Sequence, residues 1–505
     1  MIVTTIDSPA GRADFAAAPL VYPTTRTVVQ VDDYHGTPVA DPYRWLEDDT
    51  SAETTAWVTA QNEVTFDYLS SIPFRDRLRA RLTQLVDYPR LSAPTKKRQW
   101  FVFTKNDGLQ NQAVYYLQDG EQGEPQVLLD PNTMSADGTT RVVGVSIDDP
   151  GENIAYLVSA AGSDWQEIRV MDPHTRLDRE DRVQWVKVSD IAWHGRGFFY
   201  SRYPIPDVAA AAYSSMNEDH QVFYHALGSS QHEDVQVFRD AAHPQRFHNV
   251  ATTEDERFAV LYTSDRGNGK DGNAIAVRDL SAAEASFRQI WTTFDDEMAV
   301  IDHVADALLV VTNRHAPNRR VVRINLSSAD ETQWTTIIAE RAEPLDGITS
   351  AGGRLFTTYL QDVTTRAYVS DLDGTDVQEI ALPGLGTAAG FHGEHDATFV
   401  FYTFTSFTAP PAVYRYDIAS GESTLFREVT LPFDPTQFET TQVFVSSKDG
   451  TRIPAFITAR KGLARDGNNP TLMYGYGGFN ISLSPAFSAL RMAFLEQGGV
   501  YVQTN

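Results

Sequence analysis

Seven segments of similar design recur through the middle of the chain, and they constrain its fold more than any other feature. They begin near Phe101 (FVFTKNDGLQNQAVYYLQD), Ile154 (IAYLVSAAGSDWQEIRVMD), Phe198 (FFYSRYP, continuing at QVFYHALG), Phe258 (FAVLYTSDRGNGKDGNAIAVRDL), Leu308 (LLVVTNRHAPNRRVVRINL), Leu355 (LFTTYLQDVTTRAYVSDL) and Phe399 (FVFYTFTSFTAPPAVYRYDI). Each joins an apolar or aromatic strand, across a polar loop, to a second strand that commonly ends at Asp or Asn, as adjacent antiparallel strands require. The starts lie 44 to 60 residues apart. A period near 50 with four short strands per unit is that of a β-propeller blade, and seven evenly spaced units favour a closed ring over a long sandwich or an open solenoid.

The flanks have a different texture. Residues 51–69 place Trp57, Gln61, Val64 and Tyr68 on one stripe, and residues 74–86 place Leu78, Leu82 and Leu85 on another, so two amphipathic helices precede the repeats. Before them, DPYRWLEDD (41–49) reads as an aromatic turn with Trp45 as a core anchor. After the last repeat, residues 442–457 predict a hairpin turning at Lys448-Asp449-Gly450. A strand at 472–474, a helix at 488–497 and a strand at 499–503 follow, which is how an α/β sheet opens. The division expected is 1–86, 87–430 for the propeller and 431–505.

Composition removes several function classes. With no cysteine among 505 residues, the chain has no disulfide, no thiolate nucleophile and no cysteine-ligated metal. A formal charge of −25 argues against nucleic-acid or anionic-membrane partners, which need a basic footprint. No run of about 18 apolar residues spans a membrane. The N-terminal MIVTTIDSPAGRADFAAAPLVYP lacks a basic start and a sustained apolar core, so no secretion leader is read and a cytoplasmic protein is expected.

The stretch PTLMYGYGGFNIS (470–482) carries the chemistry. Leu472, Met473 and Tyr474 form a short apolar run, and glycines 475, 477 and 478 let the backbone turn beside a ligand, with Tyr476 between them. The plain alternative is a buried strand that ends in a flexible turn. Such a turn supplies one side of a hydrolase site, the donor to a developing oxyanion; the other side is a nucleophile on Gly-x-Ser-x-Gly, a motif found nowhere in the chain.

Many ordered matches then identify a family. DPYRWLED, GLQNQ, SADGT, SAAGSDW, TNRHAPN, FTSF, FREVT, SSKDGT followed by Ile453-Pro454, and YGYGGFNIS together resemble the prolyl oligopeptidases, serine peptidases with an α/β-hydrolase fold, from about Tyr22 to Asn505. The resemblance implies a mostly β chain, a seven-bladed β-propeller inserted into an α/β-hydrolase domain. Only that domain's N-terminal helical segment and first strands are present. It implies an endopeptidase that cleaves short peptides after proline, without metal or cofactor, and that is a monomer when complete. Carried over by motif, Tyr476 would donate its hydroxyl to the oxyanion and Phe479 would line the proline pocket. The family's Ser, Asp and His would lie beyond Asn505, so residues 1–505 are expected to be an inactive fragment by themselves. The runner-up is a non-catalytic propeller scaffold that binds proline-containing peptides.

Weaker signals carry nothing. Gly267-Asn268-Gly269-Lys270 lacks the spacing of a phosphate loop, and Asp371-Leu372-Asp373-Gly374 lacks the later glutamate of a calcium loop. Asn325 and Asn480 sit in chance glycosylation sequons. Histidines such as His220 and His315 belong to the repeats and read as structural.

Overall fold

In a computed structural model, residues 20–204, 217–265, 267, 269–282, 285–328, 330–479 and 481–505 are described. Most of the stretch read for a leader, Asn268 of the glycine-rich turn and the sequon at Asn480 lie outside them.

Each repeat after the first is a four-stranded antiparallel unit built in chain order, and the first has a fifth strand because both Arg90–Leu91 and Thr95–Lys97 pair with Trp100–Asn106. Blade four is typical, with strands Phe247–Thr252, Phe258–Ser264, Asn273–Asp279 and Arg288–Trp291. The repeat starts read from the sequence fall in the second strand of every blade, because the middle strands are covered on both faces and therefore read as unbroken apolar runs. Ile154–Ser159, for instance, is buried at every residue. Blades two and three form one continuous sheet rather than two. The last strand of blade two, Asp178–Val186, is nine residues long and its end reaches across to pair Val186 with Arg202.

Side chains close the ring. Seven separate apolar clusters each bridge one pair of successive blades, from Trp100 with Tyr156 between the first and second to Phe356 with Tyr402 between the sixth and seventh. The seventh joins Phe101 of blade one to Phe401 and Val413 of blade seven, with no strand shared between those two sheets. At one end of the ring, Lys97 of blade one reaches Asp149 of blade two at 2.9 Å, Glu254 of blade four at 3.5 Å and Glu394 of blade seven at 3.7 Å. Groups from four blades can meet at one ammonium only on the common axis.

At the opposite end sits the second unit. Its sheet runs in the order Phe438–Ser446, Arg452–Arg460, Val500–Thr504, Thr471–Tyr474, antiparallel except for the last pair, which is parallel. The hairpin turns at Gly450, whose φ of +87° suits glycine. Helix α1 (Ala52–Ser70) is capped by Ser51, whose hydroxyl accepts from the Thr54 N–H, and α2 is Arg75–Val86. Leu85 of α2 and its neighbours Leu78 and Leu82 pack with Phe438, Phe456, Tyr501 and the helix α3 (Ala489–Glu496) in one core. Arg81 donates to the Glu496 carboxylate across that contact. The two chain ends thus build one body, as two apolar stripes without a partner of their own require. Val363 of blade six and Phe407 of blade seven enter the same core and fasten it to the propeller. Trp45 is not a core anchor: it is only half-buried, donating its indole N–H to the Arg26 carbonyl beneath the Arg26 guanidinium.

Candidate active site

The Tyr-Gly-Tyr-Gly-Gly-Phe turn leaves the edge strand of the second sheet. Thr471–Tyr474 pairs on one side only, with Val500–Thr504, and all four of its residues are exposed, so it is an edge strand rather than a buried one. The glycines do a different job from the one read in the sequence. Gly475, Gly477 and Gly478 do not occupy the left-handed region; the residue that does is Phe479, at φ +57°. What glycine supplies at 475 and 478 is closeness, while a Cβ on Gly477 would meet nothing within 4 Å. A Cβ on Gly475 would stand 2.8 Å from the Thr504 hydroxyl oxygen, and one on Gly478 would stand 3.1 Å from the Tyr476 hydroxyl oxygen. Tyr476 therefore lies back over the Gly478 backbone, which limits where its hydroxyl can point.

That hydroxyl has no hydrogen-bond partner among the described residues, and the side chain is 42% exposed. An exposed phenol needs no protein partner, so this hydroxyl, held by a constrained ring, is a donor available to a ligand. Phe479 is 90% exposed, an apolar ring presented to solvent by a left-handed backbone that costs about 1 kcal/mol or more. The turn continues through Ile481, whose N–H donates to the Gly478 carbonyl, and Leu483, whose N–H donates to the Asn505 side chain. The Thr387 hydroxyl at the start of blade seven donates to the Pro485 carbonyl, so the loop is tied to the propeller on the same face.

The repeat histidines stand apart from this turn. His220 is buried, its Nε2–H donating to the Lys187 carbonyl while Nδ1 accepts the His248 N–H, and burial pushes both imidazoles down to about 4. Both are neutral structural groups. His315 is exposed at the surface beside Glu331. Sequence reasoning passed over one polar cluster, His225 between the buried Asp181 and Asp234, with Tyr200 donating to Asp234. It lies inside blades two and three, and it could have been suspected from three polar residues at positions where neighbouring repeats are apolar. Among the described residues no three His, Asp or Glu side chains converge to hold a metal ion, and no helix is long and apolar enough to cross a membrane.

Known proteins resemble this arrangement closely. Residues 22–429 match the family described as prolyl oligopeptidase, N-terminal beta-propeller domain. The prolyl endopeptidase of Elizabethkingia meningoseptica is 40% identical over 487 residues, covering 96% of this chain and 68% of the relative. The dual function macrocyclase-peptidase POPB of Galerina marginata is 31% identical over 518 residues, covering 95% and 70%. Among solved structures, one from a study of two prolyl endopeptidases superposes with a TM-score of 0.86 at 32% identity, covering 96% of this chain and 71% of that one. A Galerina marginata prolyl oligopeptidase B bound to a 35mer hydrolysis and macrocyclization substrate gives 0.87 at 29% identity, covering 97% and 72%.

Proposed function

Because the chain belongs to the prolyl oligopeptidase family, we propose that it is the propeller and sheet-opening part of a serine endopeptidase that cleaves short peptides on the carboxyl side of proline. Residues 1–86 and 431–505 contribute to the hydrolase body and 87–430 form the propeller. The observation that carries this reading is the exposed Tyr476 hydroxyl on its glycine-rich turn, without a hydrogen-bond partner among the described residues. Attack on a peptide carbonyl places negative charge on one oxygen, and a fixed phenol donor there contributes about 3 kcal/mol to the transition state. Proline offers no N–H, so its selection relies on an apolar aromatic wall, the role assigned to Phe479.

The chemistry follows the serine-peptidase template. A serine attacks, a histidine takes its proton and later returns it to the leaving amine, an aspartate orients the histidine, and Tyr476 with a backbone N–H holds the oxyanion. None of those three partners is assigned among residues 1–505, and this chain by itself is proposed to bind without turnover. The complete enzyme is proposed to be a cytoplasmic monomer.

Calorimetric titration of residues 1–505 tests both halves. A capped peptide containing proline should bind about fivefold tighter than its alanine counterpart, the preference should vanish in Phe479→Ala, and no product should form above a buffer blank. Equal affinity for the two peptides would refute the proline-pocket role, and turnover by clean protein would refute the proposed inactivity.

A further inference from the structure

On the propeller face that carries the C-terminal unit, a cavity of about 390 Å3 opens between blades five and six. Chain geometry identifies the face. The first strand of blade six begins at Leu345 beside Tyr359, and the second strand runs from there to the Asp362-Val363 turn. That turn accepts a hydrogen bond from Gln442 and sends Val363 into the core of the second unit. The lining is mixed: Met298 and Val311 of blade five and Leu345 and Ile348 of blade six supply apolar surface, beside the polar side chains of Asn273 and Thr312.

Three charges stand at this cavity, and they do not cancel. Arg319 is held by Glu297 at 2.8 Å and also donates to the Leu345 carbonyl, so the cation already has partners. Asp346 is the extra residue of a β-bulge: Leu345 pairs with Tyr359 and Gly347 with Thr358, leaving Asp346 opposite nothing. A bulge re-aims the side chain it carries. Among the described residues, the Asp346 carboxylate accepts no hydrogen bond and forms no ion pair; water reaches it, yet the surrounding protein raises its carboxyl above the ordinary range despite Arg319 nearby. An exposed carboxylate at the rim of a cavity, left without a protein partner among the described residues, gains from a cation that arrives with a ligand.

We propose that this cavity is a docking site for a basic side chain, lysine or arginine, of a peptide held between the propeller and the C-terminal unit. The alkyl stem lies along the half-buried Val311 and Ile348 while the charged head meets Asp346, the usual division of a long cationic side chain between apolar wall and polar rim. The site rests on the peptidase reading only for the kind of molecule that brings the cation. It is separate from the Phe479 turn and adds a preference for a basic residue at a distance from the proline.

The test is a titration of residues 1–505 with two proline-free peptides, acetyl-Gly-Lys-Gly-Gly-amide and its norleucine counterpart. At low salt the lysine peptide should bind about fivefold to tenfold tighter. The advantage should collapse at high salt and in Asp346→Asn, and should persist in the control Glu63→Gln on the exposed side of α1. No lysine advantage in the unsubstituted chain, or one that survives Asp346→Asn, overturns the proposal. The salt series needs no variant, so a folding defect cannot mask the answer. Should the lysine advantage appear while proline peptides show no preference over alanine peptides, the cavity stands and the proline reading falls.

Discussion

Replacing His225 by glutamine should destabilise the propeller by about 3 kcal/mol, with a pH dependence set by the ring's charge. His225 is fully buried, its Nδ1–H donating to Asp234 at 2.7 Å and its Nε2–H donating to Asp181 at 3.2 Å. Two hydrogen bonds involving charged groups are worth about 1.5–3 kcal/mol each, and removing one partner of a buried ion pair typically costs about 3–5 kcal/mol. The lower end applies because neither carboxylate would be stranded. Asp234 keeps the Tyr200 hydroxyl at 2.6 Å, and Asp181 keeps the Gly228 N–H at 2.5 Å. Burial pushes the imidazole pKa down, but the hydrogen bonds and charges of Asp234 and Asp181 together outweigh it and leave the value raised. A raised folded value means that the stabilisation is fully present below the unfolded value of about 6.5 and is lost as the pH climbs through the folded value. The gap between wild type and His225→Gln should therefore be widest in mildly acidic buffer and narrow toward alkaline pH, by about 1.4 kcal/mol per unit over which the pKa is raised. Urea unfolding followed by tryptophan fluorescence reports it, since Trp193 is buried in the apolar cluster that joins the same two blades. A change under about 1 kcal/mol at pH 6, or a gap that widens with rising pH, would refute the imidazolium bridge.

Two further outcomes are expected at the second sheet. In the peptidase proposed above, Tyr476→Phe should lower kcat by about a hundredfold or more with KM nearly unchanged, because the donor acts mainly on the transition state; steady-state kinetics showing equal effects on both would mean that the ring merely supports the turn. Residues 1–505 should self-associate through the unpaired edge strand Thr471–Tyr474, where Met473 is 67% exposed, and Met473→Lys should shift light-scattering mass toward monomer. A monodisperse monomer without the substitution would count against this.

Much of the architecture was legible because it rests on local periodicity. The second and third strands of each blade are covered on both sides and announce themselves as apolar runs, such as Phe258–Ser264 followed by Asn273–Asp279. Fourth strands do not: Val235–Arg239 is largely exposed and its pattern merges with that of a loop. The helix boundaries came within a residue or two, since Ser51 and the stripe through Trp57, Gln61, Val64 and Tyr68 are local signals. At the candidate site the residues Tyr476 and Phe479 could be picked out by motif, while the reason for the glycines could not. It depends on Thr504, 29 residues further on, and on the fold of the Tyr476 ring over Gly478.

By itself the sequence determined that the chain is repetitive, mostly β, acidic and free of cysteine, and that helices and an α/β opening flank the repeats. Those properties follow from side-chain chemistry and from periods of two and 3.6 residues, which are written along the chain. Only the tertiary structure decided that the ring closes through Phe101 on Phe401, that Lys97 gathers carboxylates from three other blades, that α2 packs on α3 across about four hundred residues, and that Asp346 lines a cavity between blades five and six. Each of these depends on which distant segments become neighbours. Loop-closure entropy grows so slowly with separation that contact between such segments is settled by the packing of the whole core and leaves no local mark in the sequence.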